Sequence, residues 1–451
     1  MMKPKALENS PEDDLFRSRL DNIINLRHEL VKLGESIDWV FLESKLEPFY
    51  ATQGRPAIPA RLMLGLHLLK HMYDLSDENV CARWVENPYF QYFCGEVYFQ
   101  HSFPIERSSM THFRQRVGEE FCVTLIQESL NTAFKLGALE TKHIERVIVD
   151  TTVQPKAITF PTDTKLRYKA ITKLTQLAKE HGIKLRQSYT RVGKKAVVAS
   201  GRYRHAKQMK RAQRVEKKLN TFLGRIIRDI QRNLLKQEDL KSYFAESLLK
   251  ANKIHQQKKT DSQKLYSWHA PEVECISKGK ASKPYEFGCK VSITTNLHPA
   301  AAGHFVLHTK AFHGAPYDGH TLNPVIEELE TQTGITNERS YVDKGYRGHK
   351  HPKKHRVFMS GQKRGVTAAI KRELKRRSAV EPLIGHLKNE GRLGRNYLKG
   401  KQGDQMNALM VAAGYNFKLI LRWLRFLLPF IWQTFLHFVK PCQPKNSFLL
   451  A

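Results

Sequence analysis

The 451-residue chain is predicted to be an α/β protein: a mixed sheet flanked by helices, with a helical N-terminal domain and a long basic helical insertion. Three observations predict it. Short β-branched runs alternate with helical segments after about residue 140, the order that a helix-covered mixed sheet requires. The first third is rich in capped, amphipathic stretches with no strand pattern. Between the first and second strand runs lies about a hundred residues of Lys- and Arg-rich sequence at helical spacing.

In chain order, Ile58 to Leu69 (IPARLMLGLHLL) is apolar on a wide helical face, and Pro59 suits a first-turn position. Ser76 is an expected N-cap, with Asp77 and Glu78 favouring the first turn. An aromatic link, PYFQYFCGEVYFQHSFP, leads to a third helix from Ser108 or Ser109 to Val117, stopped by Gly118. Its outward side chains are expected to be Thr111, His112, Arg114, Gln115 and Arg116. These suit either a recognition helix or an ordinary solvated face. Ile144 to Asp150 (IERVIVD) reads as a buried strand. The segment RYRHAKQMKRAQRVEKKLNTFLGRIIRDIQRNLL is expected to be one long basic helix, with Val215, Leu219, Phe222, Ile226, Ile227 and Ile230 as its apolar stripe. Strand signals return at Tyr285 to Thr294 and His304 to Phe312, joined by a turn-rich link. A helix over Thr321 to Glu330 follows, then short strands at Ser340 to Asp343 and Arg356 to Met359, then a helical run from Thr367 to Asn389.

The charge is strongly divided. Lys plus Arg number 75 against 43 Asp plus Glu, a formal net charge of +32. From Met1 to Glu120 there are 14 basic and 18 acidic residues. From Lys165 to Leu265 there are 28 and 7, and from Ser340 to Arg425 there are 21 and 5. Such a surplus repels itself in a compact state, so a polyanionic partner is expected, nucleic acid before a ribosomal or membrane-surface setting. The exposed face of the basic insertion, including Lys210, Arg211 and Arg214, is the expected phosphate-binding surface. The six cysteines are scattered without a CxxC pair, which argues against a disulfide framework and suits a reducing cytosol. The polar N-terminus, with Glu8, Glu12, Asp13 and Asp14, shows no secretory signal. Phe426 to Val439 is too short for the roughly 20 residues of a membrane span and reads as an amphipathic or buried helix. No Walker-type loop is present, and no small-molecule cofactor is expected.

Acidic residues at particular places then stand out. Asp150 closes VIVD and Asp343 closes YVD, two strand ends where a sheet-based site places metal ligands. In KRRSAVEPLIGHLK, Arg377, Glu381 and Lys388 share one helical face, as a salt-bridged stripe or as a catalytic acid flanked by phosphate grips. Pro382 after Glu381 marks a helix start or a kink. Carboxylates suit Mg²⁺, a hard cation that needs few protein oxygens and can support phosphodiester cleavage as a metal pair. His349, His351 and His355 are a weaker metal candidate. Asp318 and His320 either support the carboxylates or cap the following helix.

The segments VIVDTTVQPKAITFPTD, PYDGHTL, YVDKGYRG and RRSAVEPLIGHLKNEGRLGRNYLKG resemble the DDE transposases of bacterial insertion sequences with an InsH-type N-terminal domain. The resemblance runs from about Leu15 to Leu424. Arg377, Glu381 and Lys388 fit the spacing of that family's Tyr–Arg–Glu–Lys signature, with Leu374 where the tyrosine would stand. The resemblance implies an RNase H-like core in which Asp150, Asp343 and Glu381 are catalytic and bind Mg²⁺, or Mn²⁺ as a substitute. It implies that Arg377 and Lys388 contact DNA. The expected organisation is a helical DNA-binding domain over 1–125, a catalytic domain over 140–425 with its insertion at about 160–270, and a tail over 426–451. The partners implied are double-stranded DNA, as element ends and target, and a second copy of the chain when two ends are paired. No membrane is expected, and the setting is the bacterial cytoplasm, at the nucleoid. The competing expectations are a catalytically inactive DNA-binding derivative and a metal-dependent nuclease that never joins strands.

Overall fold

The computed structural model describes residues 17–50, 53, 57–277 and 284–439, with side chains described through 426. Glu8, Glu12, Asp13, Asp14, Cys442 and the tail from 440 lie outside the described residues, as do the side chains of the apolar stretch beyond Phe426. Cys81, Cys94, Cys122, Cys275 and Cys289 are free thiols.

Among the described residues the sheet has six strands: β1 (Arg146–Pro155), β2 (Glu274–Ser277), β3 (Tyr285–Asn296), β4 (Val306–Phe312), β5 (Arg339–Val342) and β6 (Val357–Met359). Strand β1 lies between an antiparallel half and a parallel half. It pairs antiparallel with β3, which pairs antiparallel with β4 and β2. On the other edge it pairs parallel with β5, and β5 parallel with β6. This is a mixed, curled sheet among helices, the RNase H-like arrangement expected. Val147, Ile148 and Val149 are fully buried, as a strand covered on both faces requires. The far end of β1 depends on one glycine. A Cβ at Gly288 would stand 1.9 Å from the Gln154 carbonyl oxygen. Gly288→Ala is therefore expected to force β1 and β3 apart locally and to cost about 1–3 kcal/mol or more, measurable as a lower denaturant midpoint.

Among the described residues seven α-helices precede the sheet: α1 (Leu20–Ile23), α2 (Glu29–Ser36), α3 (Trp39–Leu46), α4 (Ala60–Met72), α5 (Asp77–Glu86), α6 (Pro88–Phe93) and α7 (Ser108–Lys135). Helix α4 is buried almost throughout, more than a single apolar face predicts, and Pro59 is its N-cap and not a first-turn residue. Ser76 caps α5 as expected, its hydroxyl accepting from the Asn79 amide at 3.0 Å. The helix that starts at Ser108 does break at Gly118 (φ 65°, ψ −163°), but a second helical half continues to Lys135. One apolar core joins these helices to the sheet.

The insertion is built from α8 (Asp163–Glu180), α9 (Thr190–His205), α10 (Met209–Leu234) and α11 (Lys241–Gln256). Its core is its own, and Leu219, Phe222, Ile226, Ile227 and Ile230 of the expected stripe are buried in it. Val215 is only half-buried. The single long helix does not form: the chain reverses between α9 and α10, with Lys207 at φ 57°. This break lets α9 pack back against α10. Lys156 and Glu272, at the two roots of the insertion, meet Asp404 in a buried cluster, Lys156 Nζ lying 2.8 Å from Glu272 Oε1 and 2.7 Å from Asp404 Oδ1.

After β4 come α12 (Asp318–Thr333), α13 (Ala368–Arg376), α14 (Val380–Glu390) and α15 (Gly400–Val439). The helical run expected over Thr367 to Asn389 is interrupted by a 3₁₀ turn, Arg377–Ala379, and Pro382 sits in the first turn of α14. Proline lacks an amide donor, so it is tolerated there and not in a helix interior. Helix α15 packs against α4, α7 and β4. Among the described residues no helix is long and apolar enough to cross a membrane.

Candidate active site

The register of the parallel pair brings the two aspartates together. Ile148 of β1 faces Tyr341 of β5, so two residues further on Asp150 comes level with Asp343. Asp343 follows the last residue of β5 and opens a 3₁₀ turn, as a strand-end carboxylate should. Asp150 does not close its strand. It lies mid-strand in β1, opposite Ile293, because the antiparallel pairing with β3 continues to Pro155 after β5 has ended. The edge vacated by β5 is what opens Asp150 to the site.

The third acid comes from α14. Glu381 stands one turn from Arg377, whose guanidinium touches all three carboxylates. Nη1 is 3.5 Å from Asp150 Oδ2, and Nη2 is 3.7 Å from Asp343 Oδ1 and 3.5 Å from Glu381 Oε1. Arg377 is held at the end of α13. Glu373, one turn before it, is buried and accepts from Arg146, Arg339 and the Tyr341 hydroxyl, which ties α13 to β1 and β5. Leu374, partly buried, packs against the small apolar cluster that includes Ile148 and Tyr341. Lys388, two turns past Glu381 on α14, is half-buried.

The electrostatics are uneven. Burial pushes the Asp150 carboxyl up to about 6; Arg377 and the Thr151 amide oppose this, and the charges of Asp343 and Asp318 add to it. Asp343 is half-buried with its side chain 50% accessible, and Glu381 is exposed at 66%. Asp318, at the start of α12, accepts from the Thr151 hydroxyl at 2.9 Å and from Lys290 Nζ at 2.8 Å. It therefore both opens its helix and fastens the residue next to Asp150. Sequence reasoning did not foresee the Lys290 and Thr151 contacts, which join three separate elements. His320 is exposed.

The donor set is hard oxygen, the chemistry that Mg²⁺ or Mn²⁺ takes, and the three carboxylates already converge on one positive charge. They fit a divalent cation by type. As the side chains lie, no group of three His, Cys, Asp or Glu among the described residues stands close enough to hold an ion, because the guanidinium is between them. The histidines are not gathered either: His351 is buried and accepts from the Lys353 amide.

The DNA-contact candidates divide. Arg114 turns inward, contrary to the outward face expected of it. It is 8% exposed and its guanidinium meets Asp77 at 2.7 Å and 3.1 Å, beside His67. An ion pair with Asp77, in the first turn of α5, holds Arg114 inside the domain and off that outward face. Arg116 is half-buried and lines an open groove with Gln115, Lys310 and Lys401. Lys210, Arg211 and Arg214 are exposed at the start of α10, and Arg211 lies over the Tyr203 ring at 6.0 Å.

Comparison with known proteins points to transposases. Residues 18–116 match a transposase domain (DUF772) and residues 253–417 match a transposase DDE domain. Asp343 and Glu381 fall inside the second match, and Asp150 lies between the two. An uncharacterized protein, ORF8 in the nfe locus of Rhizobium meliloti, is 52% identical over 207 residues, 46% of this chain and 100% of that protein. No solved structure matches the chain.

Proposed function

This chain belongs to the DDE transposases of insertion sequences, and we propose that it binds the terminal inverted repeats of its own element, cuts the DNA ends and joins the 3′-OH ends to target DNA. The observation that carries the reading is the convergence of Asp150, Asp343 and Glu381, from β1, the end of β5 and α14, on the Arg377 guanidinium. In this reading the three carboxylates hold Mg²⁺, or Mn²⁺ in its place. A divalent cation held there would supply activation of water and stabilisation of the leaving oxygen.

The remaining steps fall to the protein's own groups. Arg377 and Lys388 grip phosphates on the strand to be cut, Arg377 through its planar fork. Glu373 keeps Arg377 aimed at the carboxylates through α13, and Asp318 and Lys290 fasten Thr151 beside Asp150. The helical region over 1–125 and the insertion at about 160–270 contribute duplex contacts, with Arg116 in the first and Lys210, Arg211 and Arg214 in the second. Two copies are required to pair two ends, and the setting is the bacterial nucleoid.

Exposed lysines and arginines bind phosphate by releasing counterions, so their removal has a defined signature. Lys210→Ala, Arg211→Ala and Arg214→Ala combined should lower duplex affinity and flatten the slope of log K against log salt by about 3. Arg114→Ala should lower the melting temperature and leave that slope unchanged. Electrophoretic mobility shifts across a salt series separate the two. The function itself is tested by incubating the protein with an element-end duplex, a target plasmid and Mg²⁺. Ends joined to the plasmid are expected. Nicks without joining reduce the protein to a nuclease, and binding alone makes it an inactive derivative.

A further inference from the structure

Arg377 is placed as a cation where the carboxylates need one. Its side chain is only 12% exposed, and its three partners come from three separate segments. It cannot shed its proton, so it leaves the centre only by moving. Its position permits movement. It opens the 3₁₀ turn Arg377–Ala379 between α13 and α14, while the α13 body is fastened at Glu373. A divalent cation among the same oxygens would repel a guanidinium about 4 Å away.

We propose that Arg377 is an internal counter-ion that closes the carboxylate centre until DNA arrives, and that an incoming phosphodiester draws its guanidinium off and opens the carboxylates to metal. The inference rests on the assignment of Asp150, Asp343 and Glu381 as metal ligands. A phosphodiester matches the guanidinium fork in a bidentate way, as the scattered single contacts to the three acids do not. Metal and DNA therefore bind cooperatively, and the coupling runs through this residue. A protein that holds its centre shut away from DNA does not load the ion at random.

The test is Mn²⁺ affinity of the DNA-free full-length protein, read from the electron paramagnetic resonance of unbound Mn²⁺. Arg377→Gln should tighten Mn²⁺ by about tenfold or more, within the range of ordinary coupling free energies. Arg377→Lys, which keeps a charge there, and Lys388→Gln, which removes a cation two turns from Glu381, should each stay within about threefold of wild type. Adding an element-end duplex should tighten Mn²⁺ more for wild type than for Arg377→Gln. Asp150→Asn is the companion variant, with circular dichroism confirming its fold. If Asp150→Asn weakens Mn²⁺ but Arg377→Gln leaves it unchanged, the counter-ion role is wrong and the ligand assignment stands. If Asp150→Asn binds Mn²⁺ as tightly as wild type, the ligand assignment fails and the counter-ion role fails with it. A tightening by Lys388→Gln equal to that of Arg377→Gln reduces the effect to general charge and overturns the proposal.

Discussion

Asp150→Asn should leave duplex binding intact and bring end cleavage to background, whereas Asp318→Asn should slow cleavage without ending it. The two substitutions remove the same charge on neighbouring elements, so the contrast isolates position. Asp150 faces the shared guanidinium from the middle of β1, at 3.5 Å, alongside the other two acids. Its amide analogue keeps the shape but loses the anionic oxygen that a hard cation requires. Among the described residues Asp318 pairs with Lys290, and the Thr151 hydroxyl donates to it, so its expected effect on the centre is indirect. Groups that orient a ligand from behind are typically worth about 10–100-fold. The loss for Asp150→Asn should exceed that range. Single-turnover cleavage of an end-labelled duplex, with a mobility shift on the same samples, measures both.

Lys156→Ala should give the largest stability loss of any substitution considered. The side chains of Lys156, Glu272 and Asp404 are 5%, 7% and 3% exposed. With the lysine gone, two buried carboxylates lose the cation they share. Breaking a buried ion pair by removing one partner costs about 3–5 kcal/mol. At about 2.1 cal/mol/K of unfolding entropy per residue, that lowers the melting point of a 451-residue chain by roughly 3–5 °C. The effect should extend beyond the core, because Lys156 and Glu272 stand at the two roots of the insertion and Asp404 on α15. Limited proteolysis of the variant should therefore cut first at the insertion's roots. A melting point unchanged within about 2 °C, where a loss of 3–5 kcal/mol is due, would show that the cluster carries no net stability.

Much of the site could be read from local sequence, and the parts that could not share a physical cause. IERVIVD and SYVD announce buried strands through β-branched residues, and a parallel pairing then brings their aspartates level. The spacing of Arg377 and Glu381 is a single helical turn, and it appears in the structure as a 3.5 Å contact. Strand pairing is not local, however. That Asp150 sits mid-strand follows from β3, more than a hundred residues later, pairing past the end of β5. Helical periodicity says which residues share a face, but not which face is inward. Arg114 lies on a polar, solvent-like surface of its helix by pattern, and Asp77, 37 residues earlier, draws it in.

The break at Lys207 has no glycine or proline to signal it, so the long basic helix of the insertion reads as continuous. Pro382, by contrast, reads as a helix start or a kink and lies in the first turn of α14, because proline's missing amide is a local property. The buried Lys156–Glu272–Asp404 cluster was invisible for the same reason as the Arg114 pair. Each charge looks solvent-facing in its own segment, and only the closed fold brings them together.

The most direct test of the central claim is an anomalous diffraction map of the protein crystallised with its element-end duplex and Mn²⁺. Manganese density bounded by Asp150, Asp343 and Glu381 is expected, with the Arg377 guanidinium turned to a phosphate. Manganese bound elsewhere, or the three carboxylates still closed on Arg377 with DNA in place, would contradict that claim.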